Sequence, residues 1–156
     1  MKGELQELYF EAGAGLYDSQ TLEYGISLLL FLLSQQGLIS LKIKDTENIL
    51  EGRSRETLGQ LFRILKTEVS LDADTEWKLR SALKARNHLV HHSLVDNVER
   101  MCTEAGRKEV VEEIRRLRSL IQEGIKCVDG FLDRLIRRYG VTMSQLETFV
   151  RQQYDL

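Results

Sequence analysis

All three histidines of the chain, His88, His91 and His92, fall inside the stretch Leu79–Leu94, LRSALKARNHLVHHSL, just after an arginine and an asparagine. On a helical wheel Leu79, Ala82, Leu83, Leu89, Val90 and Leu94 share one apolar face, and Arg86 lies in its middle. Asn87 sits at the rim and His91 follows it by one turn on the same edge. His92 falls on the other flank, and His88 points away from the core. A guanidinium can hold a phosphate with two parallel hydrogen bonds and stabilise charge growing on it. An imidazole titrates near neutral pH, so it can take a proton from a nucleophile or return one to a leaving group. Asn87 can orient either the imidazole or a substrate. Together Arg86, Asn87 and His91 suit phosphodiester chemistry.

Each residue also has a plainer reading. An arginine on an apolar face is costly unless paired, and Glu23 of another helix is a candidate partner for Arg86. His88, His92 and Asp96 lie four apart on one ridge, a spacing at which two histidines can share a metal. That ridge faces solvent on the wheel and contains no His-Glu-x-x-His, so neither a metal nor any other cofactor is assigned. Gln20 and Glu23 read as a polar helix-packing pair. Arg115, Arg116, Arg118, Arg137 and Arg138 read as solvated or paired with acids such as Glu112 and Asp133. Trp77 reads as an anchor for its helix.

The elements that must carry these residues are helical. The chain has no proline and is rich in Leu, Glu, Arg, Lys and Gln, which lose little rotamer freedom in a helix. A first helix is expected from about Glu4 to Gln36, with a break or kink near Gly13, Gly15 and Asp18 where the apolar repeat changes phase. Residues 38–53 fit a loop or a short extended piece. Ser54 caps a second helix, and Asp72 or Asp74 a third that runs to about Val95. A fourth spans about Thr103 to Tyr139 on a long stripe that includes Val110, Ile114, Ile121, Val128 and Leu135. Thr142 and Gln145 form a capping box for a short C-terminal helix. The expected fold is therefore all-α, an antiparallel bundle of four main helices plus that short helix, in a single domain over residues 1–156.

Composition sets the limits of function. With 42% hydrophobic and 29% charged residues the chain can bury a core. The net charge is -2, with 3 basic and 8 acidic side chains in residues 1–52 and a basic excess after them. This is not the footprint of a high-affinity nucleic-acid binder, so any nucleic-acid contact has to be local and brief, as in an enzyme, or shared across a dimer. Cys102 and Cys127 lack metal-ligand spacing and read as reduced thiols. The apolar run Ile26–Leu33 is too short to span a bilayer, and no signal peptide opens the chain, so a cytoplasmic protein without membrane contact is expected.

The segment Arg86–Asn87–His88–Leu89–Val90–His91 resembles the Arg-x4-6-His motif of HEPN domains (higher eukaryotes and prokaryotes nucleotide-binding), in which a polar residue, often Asn, follows the Arg. His91 satisfies the spacing with four intervening residues and His92 with five; helix geometry favours His91, with His92 as the alternate. Gln20 and Glu23 are similar to a Gln-x-x-Glu pattern of some members and would contact substrate. The resemblance implies a metal-independent endoribonuclease in which a ribose 2′-hydroxyl attacks the adjacent phosphate, leaving a 2′,3′-cyclic phosphate and a 5′-hydroxyl. Arg86 would hold the phosphate, Asn87 would position it and His91 would move protons. It further implies RNA as substrate, a homodimer with a shared active-site cleft, and a role as a toxin or in antiviral defence beside a cognate antitoxin or defence partner. Toxins paired with a nucleotidyltransferase carry Tyr one residue beyond the His; here that position is Ser93, so that pairing is not implied. The other reading is a non-catalytic HEPN-like helical module that binds a protein partner or nucleotide.

Overall fold

The computed structural model describes residues 2–154. Seven α-helices occur among them and no strand. They are α1 (Lys2–Gln35), α2 (Thr46–Leu50), α3 (Arg55–Glu68), α4 (Ala73–His91), α5 (Val98–Met101), α6 (Glu104–Tyr139) and α7 (Met143–Tyr154). Local chemistry starts four of them. Ser54 accepts from the backbone N–H of Thr57, Asp72 from Thr75 and Thr103 from Gly106. Thr142 and Gln145 exchange both bonds of a capping box.

The helices form a bundle around Leu22, Ile26, Leu29, Leu30, Leu79, Ile121, Val128 and Phe131, all nearly inaccessible to solvent. Lys66 of α3 pairs with Glu76 of α4, and Arg80 stacks over Phe62, so α3 and α4 run antiparallel. His88 meets Glu113 and Ala82 meets Gly124, so α4 also runs antiparallel to α6. The neighbours α1 and α6 differ. Glu4 pairs with Arg107, Glu11 with Arg115 and Asp18 with Arg118, and these matches advance together along both helices. The two helices are therefore parallel, which corrects the expectation that every neighbour is antiparallel. The crossover of residues 36–54 makes this arrangement accessible: it carries the chain back before α3 begins, so α1 and α3 need not form a hairpin.

That crossover is neither extended nor plain loop. It holds a 3₁₀ turn at Ile43–Asp45 and the short α2, whose Ile49 and Leu50 are buried and whose Thr46 hydroxyl lies 3.0 Å from that of Ser27. Helix α1 is continuous, without the expected break at Gly13 to Asp18. The phase slip has another cause. In its first half the buried stripe carries, beside Leu8, the acids Glu11 and Asp18, which meet Arg115 and Arg118, while Tyr9 and Leu16 are exposed. Helix α4 ends at His91 instead of near Val95, which takes Leu94 off the helical face and leaves it exposed. Trp77 is 62% exposed and anchors nothing. Among the described residues no helix is long and apolar enough to cross a membrane.

Candidate functional site

Two glycines bring α4 close enough to its neighbours to bury Arg86. A Cβ on Gly124 would lie 2.2 Å from Ala82 Cβ, and one on Gly15 would lie 2.7 Å from Leu89 Cδ1. At Gly124 only glycine permits the approach, whereas at Gly15 the neighbour is the end of the Leu89 side chain. Arg86 consequently leaves α4 into the seam with α1 and is 6% exposed. Its Nη2 lies 3.5 Å from Oε2 of Glu23, the contact named by the plainer reading of Arg86. That contact is long, and Glu23 itself is 34% exposed. Arg86 Nε and Nη1 are buried without a hydrogen-bond partner. A structural ion pair of this depth ordinarily has its remaining donors satisfied.

Helix α2 brings two more carboxyl groups. Glu47 and Glu51 are hydrogen-bonded to each other. This bond, followed by burial and the nearby charge of Glu23, raises Glu47 above the usual carboxyl range, against the pull of Arg86. The same bond holds Glu51 below it. Glu47 is thus the weaker acid of the two. Glu51 also pairs with Arg53, and its Oε1 lies 3.4 Å from Nε2 of His91. His91 is 44% exposed at the side chain, and its ring borders an apolar cavity of about 190 Å³ with Leu16, Leu94 and Val95. Arg86 with Glu23, and Glu51 with His91, thus gather near Glu47 from α1, α2, α4 and the residue that ends α2.

The other candidates lie around it. Asn87 is half-buried and lines a cleft of about 240 Å³ with Glu51, Gly52, Arg80 and Lys84. Gln20 is exposed, one turn before Glu23. His92 caps the end of α4 and its Nδ1 lies 3.0 Å from Asp96 Oδ2. His88 does not point away from the core: it is half-buried, and its Nε2 lies 3.3 Å from Glu113 Oε1 on α6. The wheel misplaced it because α6 covers α4 on the side of Ala85, so the buried arc is rotated toward His88. Arg115 and Arg118 are bound into the α1–α6 seam with Glu7, Glu11 and Asp18, not merely with neighbours on their own helix. Glu47 and Glu51 escaped the sequence reading, although their spacing of four is a helical signal, because residues 38–53 carry no helix-length apolar repeat.

No group of three or more metal-ligating side chains occurs among the described residues. Cys102 and Cys127 are free thiols. Comparison with family models, with curated proteins and with solved structures yields no match to this chain.

Proposed function

We propose that this protein is a metal-independent endoribonuclease of HEPN type acting through Arg86, Asn87 and His91. The observation that carries the reading is the state of Arg86, a buried guanidinium with two unpartnered donors on the helix that also carries the accessible imidazole of His91. A phosphate reaching Arg86 would satisfy those donors and displace the weak Glu23 contact. In the proposed step the ribose 2′-oxygen loses its proton and forms a bond to the adjacent phosphorus. The bond from phosphorus to the 5′-oxygen breaks, and that oxygen leaves as a hydroxyl after taking up a proton. His91 serves one of these transfers, and Glu51 is placed to orient its ring. Arg86 stabilises the charge that grows on the phosphoryl oxygens.

The reading includes a pair of chains that share the cleft. Leu16, Leu94 and Val95 are exposed apolar residues around the His91 cavity, and Tyr9, Phe10 and Tyr17 extend that apolar surface along α1. A second copy seated there would exclude water from His91. A role in toxicity or defence follows only from the motif's likeness to HEPN domains.

One observation favours the second reading, a non-catalytic helical module: Arg86 does touch a carboxylate and has little exposure. The two part in one experiment. Purified protein is incubated with a mixed RNA pool in EDTA, beside the Arg86→Ala/His91→Ala variant. Cleavage by the unaltered chain alone, with cyclic-phosphate ends, is the expected result. Absence of cleavage by folded protein at all concentrations removes the ribonuclease reading.

A further inference from the structure

A second cleft adjoins the proposed site and shares Asn87 with it. It is a cleft of about 570 Å³ between α4 and α6, within the range of small-ligand sites. Its floor is aliphatic, formed by Ala85 of α4 with Leu117 and Leu120 of α6. Its rim is polar, with Lys84, Asn87, His88 and His92. No carboxylate lines it, whereas Glu51 lines the cleft on the other side of α4.

Three details narrow the occupant. Lys84 is exposed and forms no ion pair among the described residues, whereas Arg80, one turn earlier, is engaged with Glu76 and Phe62. His88 and His92 lie with rings 5.6 Å apart and 26° from parallel, and each binds its acid through one nitrogen, Nε2 for His88 and Nδ1 for His92. His88 Nδ1 and His92 Nε2 take no part in these bonds. Finally, Lys84 and Asn87 line both this cleft and the cleft shared with Glu51, so they form a common wall between them.

We infer that the α4–α6 cleft is a nucleotide subsite for single-stranded RNA, with a base over Ala85, Leu117 and Leu120 and the adjoining phosphate against Lys84 on the wall that leads to His91. The inference rests on the ribonuclease reading for the direction of the strand, but not for the binding itself. An apolar floor accepts the face of any base, polar side chains at the rim meet its edge, and an uncompensated ammonium meets the phosphate. A single lysine also fits a chain whose net charge does not favour nucleic acid, because the contact is confined to one or two nucleotides.

The test uses the His91→Ala chain, so that bound RNA stays intact, and a fluorescein-labelled single-stranded RNA hexamer. Leu120→Glu in this background is expected to weaken binding about tenfold, because a carboxylate enters the floor. Lys84→Ala is expected to weaken it about fivefold and to lower the slope of log affinity against log salt by about 0.7, one phosphate contact on a single strand. Arg63→Ala, which removes a cation from the exposed face of α3, controls for general electrostatics and is expected to change nothing beyond a small salt-dependent term. Thermal melts check that each variant folds. Unchanged affinity in both cleft variants overturns the subsite. If the unaltered chain still cleaves RNA in that case, the ribonuclease reading survives and the base binds elsewhere. Cleft-dependent RNA binding without any cleavage leaves the subsite standing and removes the ribonuclease instead. Absence of RNA binding at low salt overturns both.

Discussion

Arg86 Nη2 lies 3.5 Å from Glu23 Oε2, and the other two nitrogens of that guanidinium, Nε and Nη1, have no partner. Buried donors without acceptors are destabilising, and replacing a poorly satisfied buried charge by an apolar side chain of similar volume is often neutral or stabilising. Arg86→Met is therefore expected to melt within about 3 °C of the unaltered protein, or above it, while RNA cleavage is lost. Glu23 is left solvated at its exposed edge. A fall of more than about 10 °C by calorimetry would show that Arg86 is held for stability and not for a ligand.

The Glu47 carboxyl is raised above its usual range by its neighbour Glu51, and that shift is a pH-dependent burden. An acid whose folded-state pKa lies above its ordinary value contributes stability that is present below the ordinary 4.5 and lost as pH rises through the folded value. In Glu47→Gln an amide N–H donates to Glu51 without binding a proton. At pH 7 the variant is expected to be more stable by about 1 kcal/mol, a rise of about 2–4 °C in Tm. At about pH 4 the difference should vanish, since the native residue is then protonated whether folded or not. Melting curves at the two pH values decide it. Equal stability at pH 7 would mean that the two carboxyl groups do not share a proton.

Along the α1–α6 seam Glu11 is buried between Arg115 and Arg118. Burial opposes its ionisation, but hydrogen bonds from the two arginines outweigh burial and hold the carboxyl below its usual range. The sign is opposite to that of Glu47: this stability is present above 4.5 and lost as pH falls through the folded value. Glu11→Gln is expected to cost about 2–3 kcal/mol at pH 7, less than a fully buried pair because both arginines reach solvent. The penalty should shrink toward zero in acid. Urea midpoints across the range measure it.

Gly124 sets the height of α4 over α6, and with it the depth of Arg86. Gly124→Ala places a methyl group 2.2 Å from the Ala82 Cβ and is expected to destabilise by about 1–3 kcal/mol. Ala82→Gly in the same chain should recover most of the loss, whereas two independent sites would add their costs. A double-mutant cycle by denaturant unfolding distinguishes these.

Leu16 and Val95 flank the His91 cavity and are 47% and 74% exposed. If a second copy covers them, Leu16→Glu with Val95→Glu should give monomers by sedimentation equilibrium and lower cleavage at least tenfold, with Tm measured on the monomer little changed. Unaltered mass would place any interface elsewhere.

Local signals were easy to read from the residues. Ser54 and Thr142 cap the helices they were expected to cap, and of Asp72 and Asp74 it is Asp72 that caps α4, because a cap depends on side chains three positions away. The pairing of Arg86 with Glu23 was also legible, since a charge on an apolar face must find an opposite one. The acidic partners of the site were not. Glu47 and Glu51 reach His91 and Arg86 only because a short helix in the crossover folds over α1 and α4, and five residues are too few to reveal a period. Nor could a wheel drawn for one helix show that α6 would turn the buried arc of α4 toward His88.

What the amino-acid sequence by itself determined is the helical class, the caps, the grouping of Arg86, Asn87 and His91 on one helix, and the absence of a strong basic footprint. Those depend on propensity, period and charge within a few turns. The tertiary structure alone decided that α1 and α6 run parallel, that their seam is held by Glu11 and Asp18 with two arginines, and that two donors of Arg86 stay unpaired. Those depend on which distant surfaces meet, and the sum of many weak contacts between helices settles that choice, not the preference of any residue for its neighbours.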